Sequence, residues 1–428
     1  MTSQRRGTIV SVTTIAAATT TLLGTAACAP AEIHNLHTLH TDSAGIPIVT
    51  AVAPLWGPGD AWTVDLEPLV EIGTVTGSPE YQFSEVVAAV RLGNGSVVVA
   101  DRGASELRSY DAAGSFEWAS GRFGEGPGEF ESLDFVGKTA GDSLVSYDSS
   151  LMRAQLFDSR GRLARTLQAS APAGEATRLG SVSDKAVGVV NGRLIVRFID
   201  LGATMETGIV RWPNERLVSI DLGTGETRSL LVVPGHEAVV EWRDDGGYRH
   251  GRYTFSRMPE YGSAGDRLAV IDTEAYLVRF VSPVDGSIER IVRREVEPRV
   301  VTDAIFEAHL DGIIGLFDDL PTEGERQVRQ GWRDTPRSPL LPVLRSIHVD
   351  AAGNLWLAPY HIVGAEPPPF QIHAPDGTWL GSVALPPGIE RAFIQYQTPY
   401  MEIGEDYILG VWKDDLDVQY VRMYRIDK

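Results

Sequence analysis

The stretch VVAAVRLGNGSVVVADRGASELRSYDAAGSFEWASGRFGEGPGEF, Val86 to Phe130, decides the fold. Apolar residues alternate in short runs, and turn residues separate the runs at regular spacing. Leu92-Gly93-Asn94-Gly95 is a tight turn ahead of a β-branched strand at Ser96–Ala100. Leu107–Tyr110 is a further strand, Asp111-Ala112-Ala113-Gly114 its turn, and Ser115–Ala119 the strand after it. The whole is a four-stranded antiparallel unit of the length of one propeller blade.

Copies recur downstream. Ser143 to Gln168 repeats the unit, and Phe157-Asp158-x-x-Gly161 repeats Tyr110-Asp111-x-x-Gly114. The aromatic ring packs between blades, Asp bonds its own turn, and Gly takes the positive φ. A third copy runs through Gly192–Val196, Arg216–Asp221 and Thr227–Val233. A fourth spans Glu237 to Ile291, a fifth begins at Ser346, and a sixth runs from Ala392 to Lys428. The sixth is a strand short, while Trp62–Leu66 and Val70–Ile72 form a strand without a blade. An N-terminal strand that completes the last blade closes the ring and removes an exposed edge. The expected fold is therefore all-β, a six-bladed β-propeller over residues 61–428.

One segment breaks the pattern. Thr302-Asp303-Ala304-Ile305-Phe306-Glu307-Ala308-His309-Leu310 has helical apolar spacing behind a Thr cap, and charge follows at Glu323–Arg329. Residues 300–340 are expected as a helix and loop inserted between blades four and five.

The 428 residues carry a formal charge of −19. Removing residues 1–27, which hold Arg5, Arg6 and no acid, takes it two units further, to −21. This balance argues against a nucleic-acid partner, because phosphate binding needs a Lys/Arg surface. The lone cysteine, Cys28, rules out disulfides and thiolate chemistry in the folded body. Arg5-Arg6 followed by the apolar, Thr-rich Gly7–Ala27 reads as an export signal over residues 1–28. Leu22-Leu23-Gly24-Thr25-Ala26-Ala27-Cys28 resembles a bacterial lipoprotein box, with Thr25 in a position usually branched and aliphatic. Lipid on Cys28 competes with ordinary cleavage at Ala27-Cys28-Ala29. Residues 29–60 read as a flexible tether. His34, His37 and His40 within it are read as a solvated linker rather than a chelating triplet.

The GNG turn, the Tyr-Asp-x-x-Gly turn, the Gly121–Phe130 run and Asp350-x-x-Gly353-Asn354-Leu355-Trp356 resemble an NHL-type repeat. The chain is similar to bacterial six-bladed propeller lipoproteins built from such repeats. That likeness implies a fold and an extracytoplasmic, membrane-tethered setting in the periplasm or at the outer surface, with no activity attached.

Chemistry-bearing motifs are few. Related propellers include lactonases and lyases that hold a metal in the central channel with residues from several inner strands. Here His348 is the one histidine at a clear inner-strand position; His236, His250, His361 and His373 lie near it in sequence or in loops. Asp414-Asp415-x-Asp417 and Asp244-Asp245-Gly246-Gly247 lack calcium-loop spacing and read as hairpin turns. The Gly121–Phe130 run lacks the lysine and helix of a phosphate cradle and reads as an inter-blade connection anchored by Phe130. Trp212, Trp242 and Trp332 are candidate ligand-stacking residues, whereas Trp356 and Trp379 read as packing between blades. The expectation is a monomeric, non-catalytic binding or scaffold module without a cofactor, tethered to the membrane only by its lipid, presenting one face to a protein, peptide or glycan. The alternative is a metal-dependent hydrolase or lyase with calcium or zinc in the channel.

Overall fold

A computed structural model describes residues 37–169, 181–200, 207–211, 214–242, 248–317, 320–388, 401–414, 416 and 418–428. The chain begins with a hairpin of β1 (Thr38–Ser43) and β2 (Ile46–Ala51), then two short strands, β3 (Thr63–Val64) and β4 (Val70–Ile72). Blade one is β5 (Val86–Arg91), β6 (Val97–Asp101), β7 (Glu106–Tyr110) and β8 (Phe116–Ser120). Blade two is β9 (Leu133–Lys138), β10 (Leu144–Asp148), β11 (Arg153–Phe157) and β12 (Leu163–Gln168). Blade three uses β13 (Ser181–Val190), β14 (Arg193–Asp200), β16 (Asn214–Asp221) and β17 (Thr227–Val233), with β15 (Gly208–Arg211) looped out between its second and third strands. β18 (Glu237–Trp242) and β19 (Tyr248–Gly251) join β15 in a separate three-stranded sheet.

Blade four is β20 (Pro259–Ala264), β21 (Arg267–Asp272), β22 (Leu277–Val281) and β23 (Ile288–Arg294). Two helices follow, α1 (Asp303–Ile314) and α2 (Thr322–Arg333). Blade five is β24 (Leu344–Val349), β25 (Leu355–Pro359), β26 (Phe370–His373) and β27 (Trp379–Val383). Blade six is β28 (Met401–Ile403), β29 (Tyr407–Lys413) and β30 (Gln419–Asp427), completed by β3 and β4, which pair antiparallel with β30. The protein is thus a six-bladed β-propeller closed by N-terminal strands, as the sequence indicated. The fourth unit differs from expectation. Glu237–Gly251 belongs to the extra sheet, and the blade starts at Pro259.

The segment read as a tether also differs. β2 pairs in parallel with β23, so the β1–β2 hairpin extends blade four to six strands. The chain then runs beside blade five, where the Leu55 and Trp56 amides donate to the Trp379 and Leu380 carbonyls at 2.9 and 2.8 Å. Gly381 admits it, because a Cβ there would meet the Trp56 ring at 2.3 Å. Trp56 stacks on Trp62 (centroids 5.0 Å apart), and Trp62 reaches the fully buried Trp356 at 6.1 Å. Residues 37–72 are therefore a strap around the rims of blades four, five and six. His40 lies in β1, and His34 lies outside the described residues.

The core is a set of apolar layers between neighbouring blades. Tyr110 and Phe157 are buried in it, and their following Asp111 and Asp158 carboxylates each accept turn amides at 2.8–3.0 Å. Phe130 is fully buried beside Phe157. Arg153 donates to the carbonyls of Glu125, Gly126 and Glu129, so the Gly121–Phe130 run is the clamped link between blades one and two.

Candidate functional site: the channel and the upper face

The six inner strands β5, β9, β13, β20, β24 and β28 surround a central cavity of about 800 Å³. All run the same way, from an upper face where each begins to a lower face where each ends. Every loop from an outer strand to the next blade, and every loop from a second to a third strand, therefore lies on the upper face. So do β15, β18, β19, α1 and α2.

These upper insertions share one apolar nucleus. Phe306, Leu310 and Ile313 of α1 are buried with Phe255 and Leu341, and Tyr360, Ile362 and Val363 of blade five pack against them. Thr302 caps α1 as expected, its hydroxyl accepting from the Ile305 amide at 3.3 Å. His309, with its pKa lowered to about 4 by burial, accepts from the Val363 amide at 3.3 Å. The Thr254 amide donates to Pro336, and the Ser338 amide donates back to Thr254, each at 2.9 Å. The chain ahead of blade four is stitched by this pair to the chain ahead of blade five. The result is a packed platform on the upper face.

The candidate residues fall in different places. Trp332 on α2 is half-buried, edge-on to His309 at 5.7 Å and covered by the Arg252 guanidinium at 4.4 Å. It is a pillar of the platform rather than an open stacking surface. Trp242 ends β18 and is 54% exposed on the accessory sheet. Trp212 lies outside the described residues, as do Asp244, Asp245, Asp415 and Asp417. The Asp414 carboxylate accepts from the Leu416 and Val418 amides, both at 2.9 Å, which is hairpin-turn geometry. Trp356 is fully buried, and Trp379 stacks under Arg294 at 3.9 Å, both between blades.

His348 does line the channel. Burial lowers its pKa to about 4, so it is a neutral imidazole at pH 7, 5.9 Å from the Phe370 ring. Among the described residues, no three His, Cys, Asp or Glu side chains gather as a metal-binding group. Among the described residues, the donors around His348 do not make up a calcium or zinc centre. His373 is buried on a Tyr276 hydroxyl at 2.7 Å, and His361 contacts Arg345.

The channel's charged groups were not visible as a motif. At the lower mouth Lys138 meets Glu402 at 2.6 Å, and Glu402 also accepts from the Arg91 amide at 2.8 Å and the Tyr407 hydroxyl at 2.7 Å. At the upper mouth Arg102 bridges Glu85 at 2.7 Å and Asp134. Between blades three and four, Glu215 accepts from Arg197 at 3.1 Å and from the Tyr261 hydroxyl at 2.8 Å. Glu260 and Lys185 complete this belt. No pattern of spacing marks these residues, because they are scattered over five of the six blades.

No protein family model matches the sequence, and no curated protein matches it. Solved structures of similar architecture do align. They include a protein described as exported from Bacteroides fragilis, at 11% identity over 86% of this chain and 96% of that one, TM-score 0.46. A member of the DUF4221 family from Bacteroides vulgatus is 11% identical over 86% and 99%, TM-score 0.43. A gluconolactonase from Xanthomonas campestris is 11% identical over 81% and 87%, TM-score 0.39. At such scores the likeness concerns architecture and carries nothing about activity.

Proposed function

We propose that this protein is an extracytoplasmic binding module that presents its upper face to a protein, peptide or glycan. The observation that carries this reading is the platform. Two insertions from different blade junctions share one apolar nucleus on one face, so the surface they offer is preorganised and loses little entropy on binding. Glu323, Arg326, Gln327, Gln330 and Arg333 of α2 are exposed upon it. The test is cross-linking capture from the cell envelope with wild type, with Arg326→Glu/Gln330→Glu, and with the lower-face control Glu405→Arg. A species lost with the α2 variant and kept with the control supports the reading. Identical capture by all three removes it.

The setting belongs to the same proposal. Among the described residues no helix is long and apolar enough to cross a membrane. The lipoprotein-like run ending at Cys28 and the resemblance to propeller lipoproteins support a lipid anchor. Metabolic labelling with a radioactive fatty acid should mark wild type and spare Cys28→Ser. An unlabelled wild type would discard the anchor and leave ordinary export.

A further inference from the structure

We propose that the channel wall around His348 is a binding site for a small, neutral, mainly apolar molecule that carries a hydroxyl group, with the His348 imidazole bonding that hydroxyl. This goes beyond the platform reading and does not depend on it.

The repeat itself singles the residue out. In blades one, two and five the inner strand joins the second strand through connections of equal length, residues 92–96, 139–143 and 350–354, so positions compare directly. The pairs that border these connections are Arg91 with Val97, Lys138 with Leu144 and Val349 with Leu355. One residue earlier, β5 has Val90, β9 has Gly137 and β24 has His348, and all three line the cavity. Two residues before those, on the same strand face, stand Ala88, Phe135 and Ser346. Blades one and two thus build this face without a polar side chain. Blade five builds it from an imidazole and a hydroxyl.

Neither polar group serves the fold. Ser346 is 2% exposed, and its hydroxyl has no hydrogen-bond partner. The His348 ring has none among the described residues either, and of the two it is the one that reaches the cavity. Polar side chains that make no internal bond in a native structure call for an explanation, and a ligand is one.

The surroundings decide the ligand's polar group. Lys138 is matched by Glu402, Arg102 by Glu85 and Asp134, and Arg197 by Glu215. No charge acts on His348, whose pKa burial alone lowers to about 4. An ionic group set against it would be desolvated without a counter-charge, which is costly. A neutral imidazole offers one N–H and one bare nitrogen, and a hydroxyl both donates and accepts, so it suits either tautomer. The same low pKa makes the ring a weak base at neutral pH, fitted to binding rather than to proton transfer. Met401 and Ile403 of β28, the next inner strand, line the cavity, as do Val90 and Val189, and they supply the apolar wall. A cavity of about 800 Å³ is within the usual range for small-molecule sites.

The experiment is fluorescence titration of the full chain at pH 7 with 2-naphthol, 2-methoxynaphthalene, 2-naphthoate and 2-naphthylmethylamine, which share a ring and differ in head. 2-Naphthol should bind tightest, roughly fivefold or more ahead of its methyl ether. His348→Val, which gives β24 the residue that β5 has there, should bring the alcohol and the ether to equal affinity. That ratio responds to the hydrogen bond and not to general loosening of the wall. The head-group series on wild type keeps the idea falsifiable if His348→Val fails to fold. Absence of binding by all four overturns it, as does either ion binding as tightly as 2-naphthol, or an unchanged preference for the alcohol in a folded His348→Val. Loss of captured partner with the α2 variant, while 2-naphthol still binds, separates this site from the platform.

Discussion

Lys138 of blade two and Glu402 of blade six are 264 residues apart in sequence and 2.6 Å apart in space. Between them lies blade one, whose Arg91 joins both: its carbonyl accepts from Lys138 at 2.7 Å and its amide donates to Glu402 at 2.8 Å. Three blades are locked at the lower mouth by one carboxylate. Glu402→Ala leaves an ammonium, an amide and the Tyr407 hydroxyl short of an acceptor. It should cost about 2–4 kcal/mol in urea unfolding. Lys138→Met should cost about 1 kcal/mol, because that side chain is 39% exposed. Equal losses in the two variants would contradict this account.

Two desolvated histidines of blade five give a pH dependence. Desolvation lowers His348 and His373 to about 4 in the folded chain, against an ordinary value of 6.5. The unfolded chain therefore binds more protons between those values. Stability from each is fully present above pH 6.5 and is lost as pH falls toward 4, up to roughly 3 kcal/mol apiece. Glu260, with its pKa raised, acts in the opposite sense, so the comparison is made by difference. His373→Gln should flatten the fall in unfolding free energy between pH 7 and pH 5 relative to wild type. A parallel pair of curves would show that His373 does not titrate on unfolding.

The platform depends on a close helix contact. A Cβ on Gly312 of α1 would lie 2.0 Å from the Val363 carbonyl oxygen, whereas one on Gly331 of α2 would meet nothing within 4 Å. Gly312→Ala should destabilise by about 1–3 kcal/mol and open residues 300–340 to protease. Gly331→Ala should stabilise by about 0.5–1 kcal/mol through helix propensity. Limited proteolysis and thermal melts read both.

The strap covers what is otherwise a bare sheet edge at β23. Val49 of β2 is buried against Val292, and a Cβ on Gly377 would touch both. A chain lacking residues 37–52 should melt at lower temperature and self-associate through β23. Size-exclusion chromatography showing an unchanged monomer would count against it.

Much of the ring was legible because its signals are local. The turns at Asn94-Gly95, Asp111–Gly114 and Asp158–Gly161 sit beside the strands they connect, and the cap at Thr302 sits beside its helix. The strap was not legible. Thr38–Ser43 is polar and pairs only with β2, and β2 is held to the ring by β23, far along the chain, so only tertiary pairing makes the hairpin part of a blade. The accessory sheet was misread for the same reason, since Glu237–Trp242 pairs with strands from two different loops. Lys185 and Glu260 are single charges in otherwise ordinary strands, and only the packing of blade three on blade four brings them together.

The strap also sets a timetable. β2 needs β23 of blade four, and β3 and β4 need β30 of blade six. As the chain is synthesised, β3 and β4 wait for the strand that they complete in blade six. Blades one to three can form from neighbours, yet β3 and β4 stay unpaired until β30 is made, which also brings Lys428 to 4.6 Å from the Trp62 ring. Closure is therefore a late, long-range event of high contact order, slow on physical grounds and exposed to aggregation in the interval. A chain exported before it folds would carry that interval across the membrane and complete its ring on the far side.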